Sequence, residues 1–385
     1  MVAQSYGAND DNGIHIAVTQ GVILAFIFAI PMMIIMWFAP TILYWTGQNS
    51  VTIQLAIPYC HSLVLGMLPI NILFVMEQFL IGISTTRLVF FLSMLKVPME
   101  ILFIYVLLFG KWGLPKLGLA GVGYGITLSV SIIAILISCY TFFSKRCRQY
   151  QIFSGFYKIN SKYLYKLINI GLPLGGMYCI ELALFATATF MMGHFGNDLL
   201  AAHQFAYQCL VFTLTIIFGI LQVTTVRIGY EVGCNNRKAL KLVAYVNLGI
   251  GFCFMLAMAF LYICFSNIII ALGIDIHALK NQMLVKYTEV FLSLAVALQL
   301  VEGVRLITIG ALRGLNDTKT TMYTSILAFW LIAFPSAYLL AFVLHLGGIG
   351  IWLGLIIGLF VGAVISLARF KYLVENLDLN KLMAK

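Results

Sequence analysis

Charge is what this 385-residue sequence has least of. Only 9% of its residues are Asp, Glu, Lys or Arg, against roughly 25% in a soluble domain. With 62% of the chain hydrophobic and a mean hydropathy of +1.02, no fold surrounded by water can hide the apolar surface, so the solvent is lipid. Lipid leaves no partner for stray backbone groups, so a spanning element is a helix or a closed barrel. The apolar runs are far longer than the roughly ten-residue strands of a barrel, and the fold class is therefore an all-α polytopic membrane protein. Other absences narrow the function. The sequence contains no GxxxxGK[ST] phosphate loop and so encodes no ATPase. It also has no HExxH, no GxSxG and no Cys/His metal spacing, and an enzyme is not expected. The eight cysteines include no CxxC pair and read as small core residues, not as disulfide or metal partners. The first seventeen residues are polar and acidic, so no cleavable signal peptide is expected.

Ten spans are predicted, at about 18–44, 54–82, 87–110, 118–143, 166–193, 199–226, 240–265, 285–312, 320–344 and 348–372. The net charge of +10 sits in short loops, where it reads as topology and not as a nucleic-acid partner. With both termini on one side, that side carries seventeen basic residues: Arg87, Lys145, Arg146, Arg148, Lys158, Lys162, Lys166, Arg227, Arg237, Lys238, Lys241, Arg313, Lys319, Arg369, Lys371, Lys381 and Lys385. The other side has four, Lys111, Lys116, Lys280 and Lys286, while Lys96 and Arg305 lie inside spans. The bias makes the richer side cytoplasmic, in a cell's inner membrane. Residues 144–165 form the longest polar stretch and divide the chain into residues 1–143 with four spans, a basic cytoplasmic linker, and residues 166–385 with six.

An unequal split invites a search for a repeat. Gly7-Ala8-Asn9-Asp10 recurs as Gly233-Cys234-Asn235-Asn236, an offset of 226. Gly121-Val122-Gly123 recurs as Gly348-Ile349-Gly350 at 227, and Ile81-Gly82 as Ile309-Gly310 at 228. Pro98 and Pro335 each lie mid-span. Spans one to four thus match seven to ten, and the partners of spans five and six would precede Met1, so two helices are expected to be absent. Parallel repeats around a central site are a transporter architecture.

In order and spacing, several pieces resemble the multidrug and toxic compound extrusion (MATE) family, in particular its NorM-like bacterial branch. They are Val2-Ala3-Gln4 with Gly7-Ala8, Gly118-Leu119-Ala120-Gly121-Val122-Gly123-Tyr124, Gly171-Leu172-Pro173, Ala201-Ala202-His203-Gln204, and Gly310-Ala311-Leu312-Arg313-Gly314 followed by Asp317-Thr318. The resemblance covers the whole chain. It implies a two-lobe helical bundle, here with the first lobe short of its first two helices. It also implies export of organic cations by antiport with Na⁺ or H⁺, no further cofactor, and small-molecule cationic substrates. A monomer in the lipid bilayer is expected.

Four acids fall inside spans: Glu77, Glu100, Glu181 and Glu302. A charge at mid-bilayer costs several kcal/mol, so such residues face a cavity or a partner. A desolvated carboxyl can carry a proton, and carboxylates with carbonyl and hydroxyl oxygens can hold a hard cation or attract a cationic drug. Competition for the same acids is the simplest antiport logic. By the resemblance, Glu181 matches the family's seventh-helix glutamate and Glu302 its tenth-helix acid, with Na⁺ as one candidate ligand of the two. Arg305 lies one turn from Glu302. It either pairs with Glu302 or turns to the cytoplasmic end and snorkels.

Lys96 and Glu100 flank Pro98 where the family often has cavity-lining asparagines, and as an i, i+4 pair of opposite charge they read as structural. Glu77, followed by Gln78, is a weaker cavity candidate, with Lys96 or Arg87 as a partner. His203 reads as a satisfied hydrogen bond. Tyr178, Phe185, Tyr207 and Gln208 are candidates to line a cavity for flat cations through ring faces. Asp317 reads as a cap or loop contact. A lipid-linked saccharide flippase of related fold would favour a strongly basic cavity. A non-transporting or partner-dependent remnant is the other alternative.

Overall fold

The computed structural model describes residues 1–376 apart from 46, 48, 153, 155–158, 277, 279 and 280. Lys158, Lys280, Lys381 and Lys385 of the charge tally lie outside the described residues. The helices are α1 (Val2–Gly7), α2 (Asp11–Trp45), α3 (Ser50–Val64), α4 (Met67–Gly82), α5 (Thr86–Phe109), α6 (Leu119–Phe143), α7 (Lys145–Arg148), α8 (Ser161–Gly193), α9 (Asn197–Gly233), α10 (Arg237–Cys264), α11 (Ser266–Ala271) and α12 (Gln282–Gly314). They are followed by α13 (Thr318–Ile326), α14 (Phe334–Tyr338) and α15 (Gly347–Asn376), with π-helical stretches Leu327–Ala333 and Leu339–Val343 continuing α13 and α14. Among the described residues nine helices are long and apolar enough to cross a membrane, or ten if a bent pair counts as one span. The chain divides into two compact units, Met1–Leu167 and Ile168–Lys385.

The bent pair is α3 and α4, where the sequence predicts one span over 54–82. The two meet at 49°. The Gly66 N–H bonds back only to Leu63 (2.9 Å), and the Ser62 carbonyl instead accepts from the Thr127 hydroxyl of α6 (3.2 Å). A side chain from a neighbouring helix has thus displaced one rung of the ladder, a recognised origin of kinks.

The first unit packs Ile14 and Val18 of α2, Leu73, Met76 and Phe79 of α4, and Ile133 and Ile137 of α6 into one core. Cys147, Tyr150 and Ile152 belong to the same core, so the stretch read as a polar linker is in part structural. His15 Nδ1 donates to the Tyr150 carbonyl (3.1 Å) and Thr19 to the Ile152 carbonyl (3.4 Å). Gln20 Oε1 accepts from the Asn160 N–H (3.2 Å). Tyr150, Ile152 and Asn160 are thus each fastened to α2. Burial pushes the Cys147 thiol and the Tyr150 phenol up from their ordinary pKa values. The cysteine expectation holds in part: Cys60 and Cys147 are buried, whereas Cys139, Cys179, Cys234, Cys253 and Cys264 are exposed.

In the second unit α12 is the hub, packed against α9, α10 and α15 and buried around most of its circumference. From Leu298 to Gly314 no residue of α12 is exposed, so an ion in that stretch needs a partner in the interior.

The repeat is visible in the backbone, with a register that differs from the sequence motifs. Asn9 and Asn235 are both left-handed, at φ 55° and 54°, and close identical turns. Asp10 N–H bonds Ser5 C=O (2.9 Å) as Asn236 N–H bonds Glu231 C=O (3.0 Å). At the next turn Ser84 corresponds to Asn316, each at φ 60°. Gly82 faces Val2 as Gly314 faces Ile228, so Gly82 is matched by Gly314 and not by Gly310. Likewise a Cβ on Gly121 would meet the backbone at Leu107, and one on Gly350 the backbone at Leu340 and Ala341, while Gly125 meets Ile104 as Gly354 meets Ala337. Gly121 is therefore matched by Gly350, not by Gly348. Between Thr86/Thr318 and Ile104/Ala337 the register slips by one residue, which is what a π-helical stretch inserts into a helix. Pro98 and Pro335 consequently stand a turn apart and are not equivalent.

A Cβ at Gly354 would lie against the backbone N and Cα of Ala337, whereas Gly249 has nothing within 4 Å. Gly354→Ala should therefore destabilise by about 1–3 kcal/mol through overpacking, and Gly249→Ala should be neutral or stabilising by up to about 1 kcal/mol. Thermal midpoints of the purified variants in detergent check both. A Gly354→Ala midpoint equal to wild type would show that α14 and α15 do not approach as closely as described.

Candidate functional site

The enclosed helix α12 carries two ions one turn apart. Arg305 is 1% exposed and Glu302 0%. Spacing of i, i+3 puts them on one face, and one edge of the guanidinium, Nε with Nη2, grips both oxygens of Glu302. Nε donates to Oε2 at 2.7 Å and Nη2 to Oε1 at 2.5 Å. This fork geometry is the strong form of a charge-assisted pair. The pairing alternative for Arg305 is the one observed, and snorkelling is not.

The same Nη2 also donates to Glu181 Oε2 of α8 at 3.0 Å. Glu181 is 9% exposed. Two carboxylates thus converge on one guanidinium, and the cluster carries a net formal charge of −1. Glu302 has both oxygens bonded, whereas Glu181 uses one. Phe329 lies under the guanidinium, 4.8 Å from Cζ to the ring centroid, a cation–π contact that adds attraction without a further charge. Gly362 of α15 leaves space on the far side, since a Cβ there would sit 3.4 Å from Arg305 Cδ.

The remaining candidates lie outside this cluster. Tyr178, one turn before Glu181 on α8, receives a hydrogen bond from Arg313 Nη2 at 2.6 Å and lies under that guanidinium at 5.0 Å. Tyr207 of α9 stacks obliquely on Phe185 of α8 at 5.3 Å and interacts electrostatically with Glu181. Gln208 does not join them. One residue along a helix is a turn of about 100°, and it faces a separate apolar cavity of about 420 Å³ with Cys209, Phe212, Tyr262, Phe265 and Leu272. His203 is buried and its Nε2 bonds Thr189 Oγ1 at 3.1 Å, while its Nδ1 has no partner. Asp317 is the N-cap residue of α13, where it accepts from Thr320 (2.7 Å) and from Arg369 (2.8 Å).

The candidates of the first unit form a second, looser set. Lys96 Nζ is 3.9 Å from Glu100 Oε2, with about a third of each side chain exposed (33% and 30%). Glu77 on α4 is half-buried and interacts electrostatically with Lys96, but among the described residues it forms no ion pair with Lys96 or Arg87. Sequence reading missed Phe329 and Gly362. An aromatic in an aromatic-rich span and one glycine among 33 carry no signal of their own.

Two stability tests separate the clusters. Glu302→Gln leaves the enclosed guanidinium without its fork and should cost about 3–5 kcal/mol, the usual penalty for breaking a buried pair. A thermal midpoint within a degree or so of wild type would argue that Arg305 is solvated. In the first unit, the double change Lys96→Leu/Glu100→Leu should reach the membrane in larger amounts than either single change, as read by immunoblot of the membrane fraction. Equal amounts would argue that Lys96 and Glu100 are independent.

Comparison with known proteins gives a consistent result. The family model MatE matches residues 1–106 and 173–339. A probable multidrug resistance protein NorM of Mesorhizobium japonicum is 30% identical over 353 residues, covering 92% of this chain and 76% of that one. Its counterpart in Pseudomonas putida is 30% identical over 378 residues, covering 98% and 82%. Among solved structures, MATE in the straight conformation superposes with a TM-score of 0.88 at 19% identity, covering 99% of this chain and 82% of that one. The eukaryotic MATE transporter AtDTX14 gives 0.82 at 19%, covering 99% and 82%. At these identities the structures speak for the fold alone.

Proposed function

Because the chain belongs to the MatE family, we propose that it is a secondary active exporter of organic cations, driven by Na⁺ or H⁺ exchanging at Glu181. The observation that carries this reading is the difference between the two acids of the cluster. Glu302 is closed, with both oxygens on Arg305. Glu181 has one oxygen on Arg305 and one free, and it is the most exposed member of the cluster, at 9%. Glu181 is therefore the carboxylate that can change partners.

The exchange follows from charge. With Glu181 ionised the cluster is a monoanion in a low-dielectric interior, where an unbalanced charge attracts any cation that can reach it. A flat organic cation is favoured further by the ring faces of Phe185 and Tyr207. A proton or Na⁺ arriving at Glu181 neutralises the site and removes that attraction, so the two ligands exclude each other. Mutual exclusion across one carboxylate couples the downhill ion to the uphill organic cation. The relatives' description as multidrug resistance proteins supports drug-like organic cations as the substrate class. The basic bias of the loops supports cytoplasmic termini in a bacterial inner membrane.

Glu181→Gln tests the reading. In inverted vesicles under an imposed Na⁺ or H⁺ gradient, wild type should accumulate ethidium, and the variant should fall to the level of vesicles without the protein at equal membrane abundance. Full uptake by Glu181→Gln, or none by well-inserted wild type, would overturn the proposal. The second outcome would favour a non-transporting chain.

A further inference from the structure

We infer that Arg305 sets the coupling chemistry of this transporter: it is a tethered cation that fills the position between Glu181 and Glu302 where a metal ion would sit, leaving a site that exchanges one proton or one organic monocation at Glu181 and does not take Na⁺. The inference rests on the reading of Glu181 as the coupling carboxylate.

Two carboxylates converging from different helices are the ordinary makings of a hard-cation site, which needs several oxygen ligands around one point. Here that point is occupied. Both oxygens of Glu302 accept from Arg305, at 2.7 Å and 2.5 Å, and Glu181 Oε2 accepts from Arg305 Nη2 at 3.0 Å. Only Glu181 Oε1 is left. The nearest hydroxyl along α12, that of Thr308, is turned back to its own helix at the Val304 carbonyl (2.7 Å). Among the described residues no group of three or more His, Cys, Asp or Glu side chains is placed to hold a metal.

Arg305 has no means of stepping aside or losing its charge. It is 1% exposed, held over Phe329 at 4.8 Å and backed by Gly362, and a guanidinium does not deprotonate in proteins. A second cation brought to Glu181 therefore meets a fixed like charge, which a proton avoids by forming a covalent O–H bond at Oε1. An organic cation avoids it by standing off with its charge spread over a ring system. The charged and titratable groups facing Glu181 are Arg305 and Glu302 from α12 and Tyr207 from α9. The segments bearing Phe329 and Gly362 present no charge to it. The formal charges then make distinct forecasts: the cluster is a monoanion in wild type, a dianion in Arg305→Gln, and a monoanion again in Glu302→Gln/Arg305→Gln.

Equilibrium binding of radiolabelled Na⁺ to the full chain in lipid nanodiscs, at mildly alkaline pH, reads these states directly. Wild type, Arg305→Lys and Glu302→Gln/Arg305→Gln should bind Na⁺ only at background. Arg305→Gln should gain saturable binding, about tenfold or more above wild type, which disappears when Glu181→Gln is added. Saturable Na⁺ binding by wild type that is lost in Glu181→Gln overturns the inference, as does an inserted Arg305→Gln that gains none. Should Arg305→Gln fail to insert, tetraphenylphosphonium binding to wild type decides: insensitivity to Na⁺ with loss of binding as the pH is lowered supports Arg305 in this role, and competition by Na⁺ refutes it. None of these readings depends on flux, so failure of the transport proposal and failure of this inference are told apart.

Discussion

An ion placed in the interior of a membrane protein must find its counter-ion there, and the second unit is organised around one instance of that rule. Helix α12 is enclosed by α9, α10 and α15, so Arg305 and Glu302 cannot reach water along their own helix. The fork between them satisfies both groups, and Glu181 adds a second acceptor from α8. Removing Arg305 leaves two carboxylates without a counter-ion, where the penalty is several kcal/mol. The helix positions that bring these three side chains together are thus tied to one another more firmly than dispersion forces between helices would tie them, since lipid tails compete with side chains for apolar contact.

The other ion pairs are more exposed. Lys96 and Glu100 stand 3.9 Å apart, while Arg369 and Asp317 meet at 2.8 Å near a helix start with the arginine a third exposed (34%). Where water or headgroups can share in solvating a charge, the pair contributes little whatever its geometry. Where they cannot, all three hydrogen-bonding nitrogen–oxygen contacts fall between 2.5 and 3.0 Å.

Composition made the membrane class, the helices and the outline of the repeat legible, because lipid selects for long apolar runs whatever their detail. The i, i+3 spacing of Glu302 and Arg305 also announced a pairing. The contact from Arg305 to Glu181, across 124 residues, had no local signature, and neither did Phe329 or Gly362. The register of the repeat was misread for a physical reason. Glycine pairs recur every turn or so in these helices, so a short motif finds a look-alike two or four residues from its true equivalent, as Gly348 did for Gly350 and Gly310 for Gly314. Only the contact each glycine makes tells them apart. Tyr150 and Ile152 were lost inside a polar stretch because two apolar side chains do not change its average, yet they fasten it to α2.

Once the register is set by contacts, the two halves share a scaffold and not a chemistry. The turns at Asn9 and Asn235 and the close approaches at Gly125 and Gly354 coincide. The charges do not. Counting from Gly82 and Gly314, the places of Glu302 and Arg305 are taken in the first unit by Ile70 and Leu73, and the place of Glu77 in the second by Ile309. Lys96 falls where the second unit has its π-helical turn with Ala328 and Phe329, the aromatic that supports Arg305. Backbone turns and glycine contacts are constraints of packing, which any copy of the scaffold must meet. A buried charge is tolerated only with its partners, so it moves, appears or vanishes as a set. The Glu181–Arg305–Glu302 cluster is such a set, and all three members lie in the second unit.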